Sequence, residues 1–287
     1  MINRNLLGLR SLALRSLSSL INHCKTTPVV DEQIKKTRLG LQKIALDYVE
    51  GLGKLYTSPG FDEEGKPIYL SAEEQNQILQ TLQDFSSVTK SVKLTNLFLS
   101  SFVQANNLIK LASSSQQKDQ ILLQLDVLFA MMSQVKLNRE NKVSLMTGVK
   151  DFVNDHATQK KGYKILTRVI ESFQLQTLEE LAEIKNEITP LMKGQVTKQR
   201  LYLIKAYIKS MEQFKDQDKE KTLPKVLEIV RSMIIELITT INNSNLKIRK
   251  LAEEALLQIN ELLKCFKANS QLLQCLLVGI AGTTPQM

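Results

Sequence analysis

The residues able to carry catalysis or hold a metal are few. The 287-residue chain has two histidines, His23 and His156, and three cysteines, Cys24, Cys265 and Cys275. A His–Cys pair would have to use His23 beside Cys24. Neighbours on a helix point about 100° apart, so these two side chains diverge. The simpler reading of His23 is a helix-end residue. Zinc needs closely spaced ligands, and Cys265 and Cys275 have neither a C-x-x-C partner nor a nearby histidine. They are expected to be small buried hydrophobes. Gly51-Leu52-Gly53-Lys54 has the glycines and lysine of a phosphate loop, but lacks the G-x-x-x-x-G-K-[ST] spacing and a preceding strand. It reads as the end of a helix. Glu179-Glu180 and Glu253-Glu254 sit among lysines, as solvated faces do. No paired carboxylates and no Ser–His–Asp set can be singled out. The expectation is therefore no catalytic, cofactor-binding or metal-binding residue, no cofactor and no small-molecule substrate.

The basic residues are the chemistry that remains. Lys and Arg total 38 against 29 Asp and Glu, a net charge of +9. That balance favours an acidic partner such as RNA, an anionic membrane or an acidic protein; a generally soluble basic surface is the alternative. Three groups stand out. Lys160, Lys161, Lys164 and Arg168 form one. Lys198, Arg200, Lys205 and Lys209 form another. Lys247, Arg249 and Lys250 form the third. Each belongs to a helix that opens on two or three basic residues and then turns apolar. Lys161 and Arg200 are 39 positions apart, Arg200 and Arg249 are 49 apart. These spacings bracket the ~40–47 residue period of HEAT and armadillo units. Ile248-Arg249-x-x-Ala252 has a form common in the second helix of a HEAT unit. Stacked repeats would align the groups into a ridge able to track phosphates. Alternatively, the same residues would bridge repeats by pairing with acids of the preceding unit.

The elements positioning these groups are helices. Aromatics make up 5% of the chain, Trp is absent, and there are only 11 Gly and 6 Pro. Leu, Ile, Lys, Gln, Glu and Ser dominate, mostly good helix formers. Helical periodicity predicts helices over about 3–24, 31–55, 72–87, 90–112, 116–135, 139–154, 157–173, 177–192, 196–214, 223–242, 246–264 and 269–281. Thr26, Thr27 and Pro28 break the first from the second. Ser71, followed by Glu73 and Glu74, reads as an N-cap with acids in the first turn. Ser86–Ser87, Ser113–Ser115 and Asn138 separate later helices. The expected fold is all-α, a HEAT/armadillo-type α-solenoid of about six antiparallel helix pairs. Residues 1–56 form its N-terminal helix pair, 57–70 an exposed loop rich in Gly, Pro and acids, and 71–287 HEAT-like repeats.

The ends carry their own signals. The first 30 residues hold Arg4, Arg10, Arg15 and Lys25 and no acid, as a mitochondrial transit peptide would. A basic-faced solenoid helix is the alternative, because Leu6, Leu9, Ala13, Leu17, Leu20 and Ile21 form a core-facing stripe. Thr283-Thr284-Pro285 starts a helix that has no body before Met287, as in a fragment of a longer repeat array. Scattered cysteines, odd in number, suggest reduced thiols. Val226–Ile241 is interrupted by charges and Leu272–Ala281 is too short to span a bilayer, so no membrane partner is expected.

Leu276-Leu277-Val278-Gly279-Ile280-Ala281-Gly282-Thr283-Thr284-Pro285-Gln286-Met287 resembles a signature of the ribosomal RNA-processing protein 12 family of nucleolar HEAT-repeat proteins. That family reads Ala-Gly-Leu-Ala-Gly-x-x-Pro-His-Met and continues into another helix. This chain departs at Gly279, Ile280 and Gln286. Gln159-Lys160-Lys161-Gly162-Tyr163-Lys164-Ile165-Leu166 is similar to the family's Gln-Lys-Lys-Ala-Tyr-Arg-x-Leu segment, with Gly162 replacing Ala. Lys198–Leu203 sits where the family has an Arg-Leu-rich helix start. Residues 1 to 140 match in helical character only. The resemblance implies a non-enzymatic ribosome-biogenesis factor of the nucleus and nucleolus. Its partners would be pre-rRNA and ribosomal or assembly proteins, with Ran-type GTPases and nucleoporins in subunit export. Two other readings stay open: a protein-binding transport or adaptor solenoid that never touches RNA, and an organellar helical protein with a presequence.

Overall fold

The computed structural model describes residues 2–27, 32–58, 60, 64–66, 68–172, 178, 182, 197–268, 270, 273, 274 and 276, with backbone alone for 2–9, 139 and 219. Among these residues every regular element is a helix, so the fold is all-α. The chain forms two compact units, Met1–Phe152 and Val153–Met287.

The first unit contains α1 (Ile2–Thr26), α2 (Glu32–Thr57), α3 (Ala72–Val88), α4 (Ser91–Leu111), α5 (Ser115–Met132) and α6 (Arg139–Asn154), which ends just past the boundary. Local chemistry sets the starts. Ser71 Oγ accepts from Glu74 N at 3.2 Å and the Glu74 carboxylate accepts from Ser71 N at 2.9 Å, a capping box that satisfies two orphan donors. Ser114 and Gln117 repeat the device for α5. The apolar residues then fall at helical spacing and are buried: Ile78, Leu82 and Phe85 on α3, and Ile121, Leu125, Leu128 and Met132 on α5. α3 occupies the middle, packing on α1, α2 and α5, while α4 packs on α5. The α1–α2 corner is closed by Arg38, which donates to the carbonyls of Cys24 and Thr27, acceptors that the end of α1 leaves without helical partners.

Two expectations shift in this unit, both at helix boundaries. The 57–70 segment joins α2 to α3, and Ser58, Gly60, Glu64, Gly65, Lys66 and Tyr69 are exposed. Ile68 N donates to Gly60 O at 3.0 Å, and Gly60 and Gly65 take positive φ (95° and 77°), which suits residues without a Cβ. Ser86 and Ser87 do not separate helices. Ser86 is buried and its hydroxyl donates to Leu82 O at 2.8 Å, so the serine stays within α3 and the chain turns at Thr89–Lys90. Gly51 and Gly53 lie within α2 rather than ending it. A Cβ on Gly53 would stand 3.3 Å from Val127 Cγ1, marking where α2 approaches α5. The α4–α6 crossing is closer still. A Cβ on Gly148 would overlap Asn106 Nδ2 and stand 2.7 Å from the Phe102 ring. Phe102 is itself held between Phe98 (6.4 Å, stacked) and Phe152 (5.8 Å, edge-on).

The second unit contains α7 (Gln159–Ser172), α8 (Thr197–Met211) with a 3-10 turn at Glu212–Phe214, α9 (Lys219–Ile241) and α10 (Leu246–Cys265). α8 is central and packs on α7, α9 and α10. Its apolar residues point to several sides, as that position requires: Leu201, Leu203, Ile204, Ala206, Tyr207, Ile208 and Met211 are all buried. α9 begins at Lys219, ahead of the expected start near 223. Asp218 accepts from Glu220 N at 3.1 Å and caps the earlier start, leaving Pro224 inside the helix. α10 opens on Asn245, whose side chain accepts from Lys247 N. It closes with Ala268 N donating to Leu263 O and Lys267 N to Lys264 O, around Lys267 at φ 57°. The expected helices at 177–192 and 269–281, and Thr283-Thr284-Pro285, fall largely or wholly outside the described residues.

Candidate nucleic-acid interface

The three basic groups lie on α7, α8 and α10, and the contacts fix how these helices run. Ser210 Oγ, near the end of α8, lies 3.5 Å from Ile170 O, near the end of α7. At the other end, Tyr163 of α7 feels the charge of Arg200 in α8. Start meets start and end meets end, so α7 and α8 run parallel. Arg200, at the start of α8, pairs at 2.8 Å with Glu236, late in α9. α9 and α10 are joined by a short turn and pack together. Hence α9 runs against both neighbours, and α8 and α10 run parallel. Lys205 of α8 meets Glu254 of α10 at 2.7 Å, an offset of 49 residues. The same offset separates Arg200 from Arg249 in the sequence repeat. The basic openings of α7, α8 and α10 are thereby gathered at one end of the unit.

Within that end the residues divide. Lys160, Lys164, Lys198, Lys247 and Lys250 are exposed, and Lys161 is half-buried. Lys160, Lys198, Lys209, Lys247 and Lys250 have no carboxylate at ion-pair distance among the described residues. Arg249 donates to Asn243 O at 3.0 Å, so its guanidinium holds the α9–α10 turn. Farther along the helices, Arg168 pairs with Glu171 at 2.8 Å and Lys205 with Glu254. Arg200 turns inward: its side chain is 14% exposed and that of Glu236 20%. Burial raises the Glu236 carboxyl above the ordinary range, and the charge of Arg200 opposes that rise. Burial likewise pushes the Tyr163 phenol up to about 12, with Arg200 opposing and Glu236 adding to the shift. Arg200 and Glu236 thus tie α8 to α9, with Tyr163 of α7 within reach of both charges. Among the described residues, Arg200–Glu236 and Lys205–Glu254 join α8 to helices that follow it in the chain.

One residue outside the basic groups belongs to this surface. Tyr202 is 43% exposed, and Lys198 Nζ stands 5.8 Å from its ring centroid. Lys198, Tyr202, Lys205 and Lys209 recur at steps of four, three and four, which places them on one face of α8. The signal was present in the sequence, hidden by the apolar residues on all other sides of the helix.

The residues considered for catalysis or metal binding stay apart. His23 is exposed and its ring nitrogen lies 3.4 Å from Thr27 Oγ1, whereas Cys24 is buried. Cys265 is exposed, contrary to expectation, because it ends α10; its thiol donates to Glu261 O at 3.4 Å. Cys275 and Glu179-Glu180 lie outside the described residues. Among the described residues no cluster of His, Cys, Asp and Glu could hold a metal, and no helix is long and apolar enough to cross a membrane. The first unit has an open cleft of about 500 Å³ between α2, α4 and α5, lined largely by uncharged groups such as Ser100, Gln104, Gln120 and Gln124. No protein-family model matches the chain, and a search of curated proteins found no match.

Proposed function

We propose that the chain is part of a HEAT-type α-solenoid acting without catalysis as a ribosome-biogenesis scaffold. In this reading it grips pre-rRNA and pre-ribosomal proteins in the nucleolus and supports rRNA processing and subunit export, with Ran-type GTPases and nucleoporins as transport partners. The solenoid reading is supported by next-but-one packing, α1 on α3, α3 on α5 and α8 on α10, as stacked helix pairs produce. It is supported too by the Lys205–Glu254 contact, whose offset equals the sequence repeat. The observation that carries RNA binding is the set of exposed lysines without acid partners among the described residues, Lys160, Lys198, Lys247 and Lys250, at the like ends of parallel helices. Helix N-termini add positive potential there. The assignment to ribosome assembly rests on the resemblance of the Gln159–Leu166 and C-terminal segments.

The test is anisotropy titration of labelled pre-rRNA fragments across a salt series. The affinity is expected to fall with salt at a slope of about −0.7 per contacted phosphate for single strands. Replacing Lys160, Lys198, Lys247 and Lys250 with Glu should abolish the binding while leaving the helical circular dichroism intact. Absent or salt-independent binding would refute the RNA reading.

A further inference from the structure

The lysine face of α8 carries one aromatic ring, and its surroundings are specific. Tyr202 is the exposed one among the described tyrosines and phenylalanines of the second unit; Tyr163, Tyr207, Phe214 and Phe266 are buried. Its neighbours Leu201, Leu203 and Ile204 supply the packing of that turn, so the core does not need this ring. An aromatic ring left 43% open to water forgoes part of the burial that ordinarily stabilises it. Around it stand three lysines of the same face: Lys198 one turn before, Lys205 one turn after, and Lys209 beyond. Lys205 is held by Glu254, whereas Lys198 and Lys209 have no acid partner among the described residues.

This arrangement separates two modes of RNA binding. A row of lysines alone follows phosphates and makes no contact that depends on whether the bases are paired. A ring set among lysines offers a second contact, the π face of a base, and only an unpaired base can present it. With Lys198 Nζ 5.8 Å from the ring centroid, a phosphate held by Lys198 brings its own nucleoside within reach of Tyr202. We infer that this face of α8 is a single-strand RNA site in which one unpaired base stacks on Tyr202 while Lys198 holds an adjacent phosphate and Lys209 a phosphate farther along the strand. The inference rests on the RNA reading above and adds to it the substrate class: unpaired rather than helical RNA.

The chain has no tryptophan, so Tyr202→Trp places a single fluorescent reporter at the ring. The probes are a short labelled oligoadenylate and a blunt RNA duplex of equal length. Oligoadenylate should quench the indole emission of the full-length Tyr202→Trp variant, and the duplex should bind without quenching it. Tyr202→Ala should weaken oligoadenylate binding about tenfold and leave duplex binding unchanged; Tyr202→Phe, which keeps the ring, should restore it. If RNA binds in a salt-dependent way but the introduced indole is not quenched and Tyr202→Ala binds as the parent does, the stacking site is wrong and the lysine ridge survives. If neither RNA binds at low salt, the RNA reading fails and the stacking site fails with it.

Discussion

Replacing helical glycines by alanine should give opposite signs at different positions of the first unit. Within a helix, Gly to Ala gains about 1 kcal/mol, because the unfolded chain loses freedom and the helix gains propensity. At Gly51 nothing lies within 4 Å of the added Cβ, so Gly51→Ala should realise that gain. At Gly53 the new methyl meets Val127 Cγ1 at 3.3 Å, which requires a shift of a few tenths of an ångström and leaves the change near neutral. At Gly148 it would overlap Asn106 Nδ2 and sit 2.7 Å from Phe102 Cε1. Asn106 is buried, and the Phe102 ring is held between Phe98 and Phe152, so neither can retreat without moving α4. Overpacking of this kind costs about 3 kcal/mol at the upper end of its usual range, against the gain of about 1 kcal/mol, for a net loss of about 2 kcal/mol. For a unit of this size that lowers the midpoint of melting by about 4–8 °C, while Gly51→Ala raises it by about 2–4 °C. Thermal melts followed by circular dichroism, with hydrogen exchange to localise the change, give the comparison. A Gly148→Ala protein at least as stable as its parent would refute the packing of α4 against α6.

Two further outcomes follow from the second unit. The Tyr163 phenol is raised to about 12 from 10, so the folded state stays protonated where the unfolded state ionises. Its contribution is present in full below pH 10 and is lost as pH rises from 10 to 12, a loss of about 2–3 kcal/mol that Tyr163→Phe should remove from the alkaline unfolding profile. Lys267 holds a left-handed conformation at φ 57° that costs a side-chain-bearing residue about 1 kcal/mol. Lys267→Gly should therefore stabilise the protein in urea titration, and a loss of stability would contradict the turn after α10.

What the sequence disclosed was mostly local. Ser71 with Glu74 three residues on announced the start of α3, because both halves of the cap lie within one turn. Asn138 and the Ser113–Ser115 break were legible for the same reason. The fates of the basic residues were not. Arg200 and Lys205 differ only in which acid faces them, and Glu236 and Glu254 arrive from helices that the sequence cannot place. Spacing therefore gathered true neighbours into three groups without distinguishing inward from outward members. Ser86 misled because serine is a common breaker, and only the burial of its turn shows the hydroxyl bonding back to Leu82. Gly148 gave no signal, since its role is the room it leaves for Phe102. Tyr202 could have been found by phasing it with Lys198, Lys205 and Lys209.

The central place of α8 also sets a schedule for synthesis. Its apolar sides are covered by α9 and α10, which leave the ribosome later, and Arg200 and Lys205 meet their acids only then. At about 5–20 residues per second, roughly 3–11 s pass between the emergence of Met211 and that of Cys265. For those seconds the nascent chain presents Leu201, Ile204 and Ile208, which share the faces of Arg200 and Lys205, without their final neighbours. A holding chaperone would find its target there, and slowed translation through α9 would prolong the exposure.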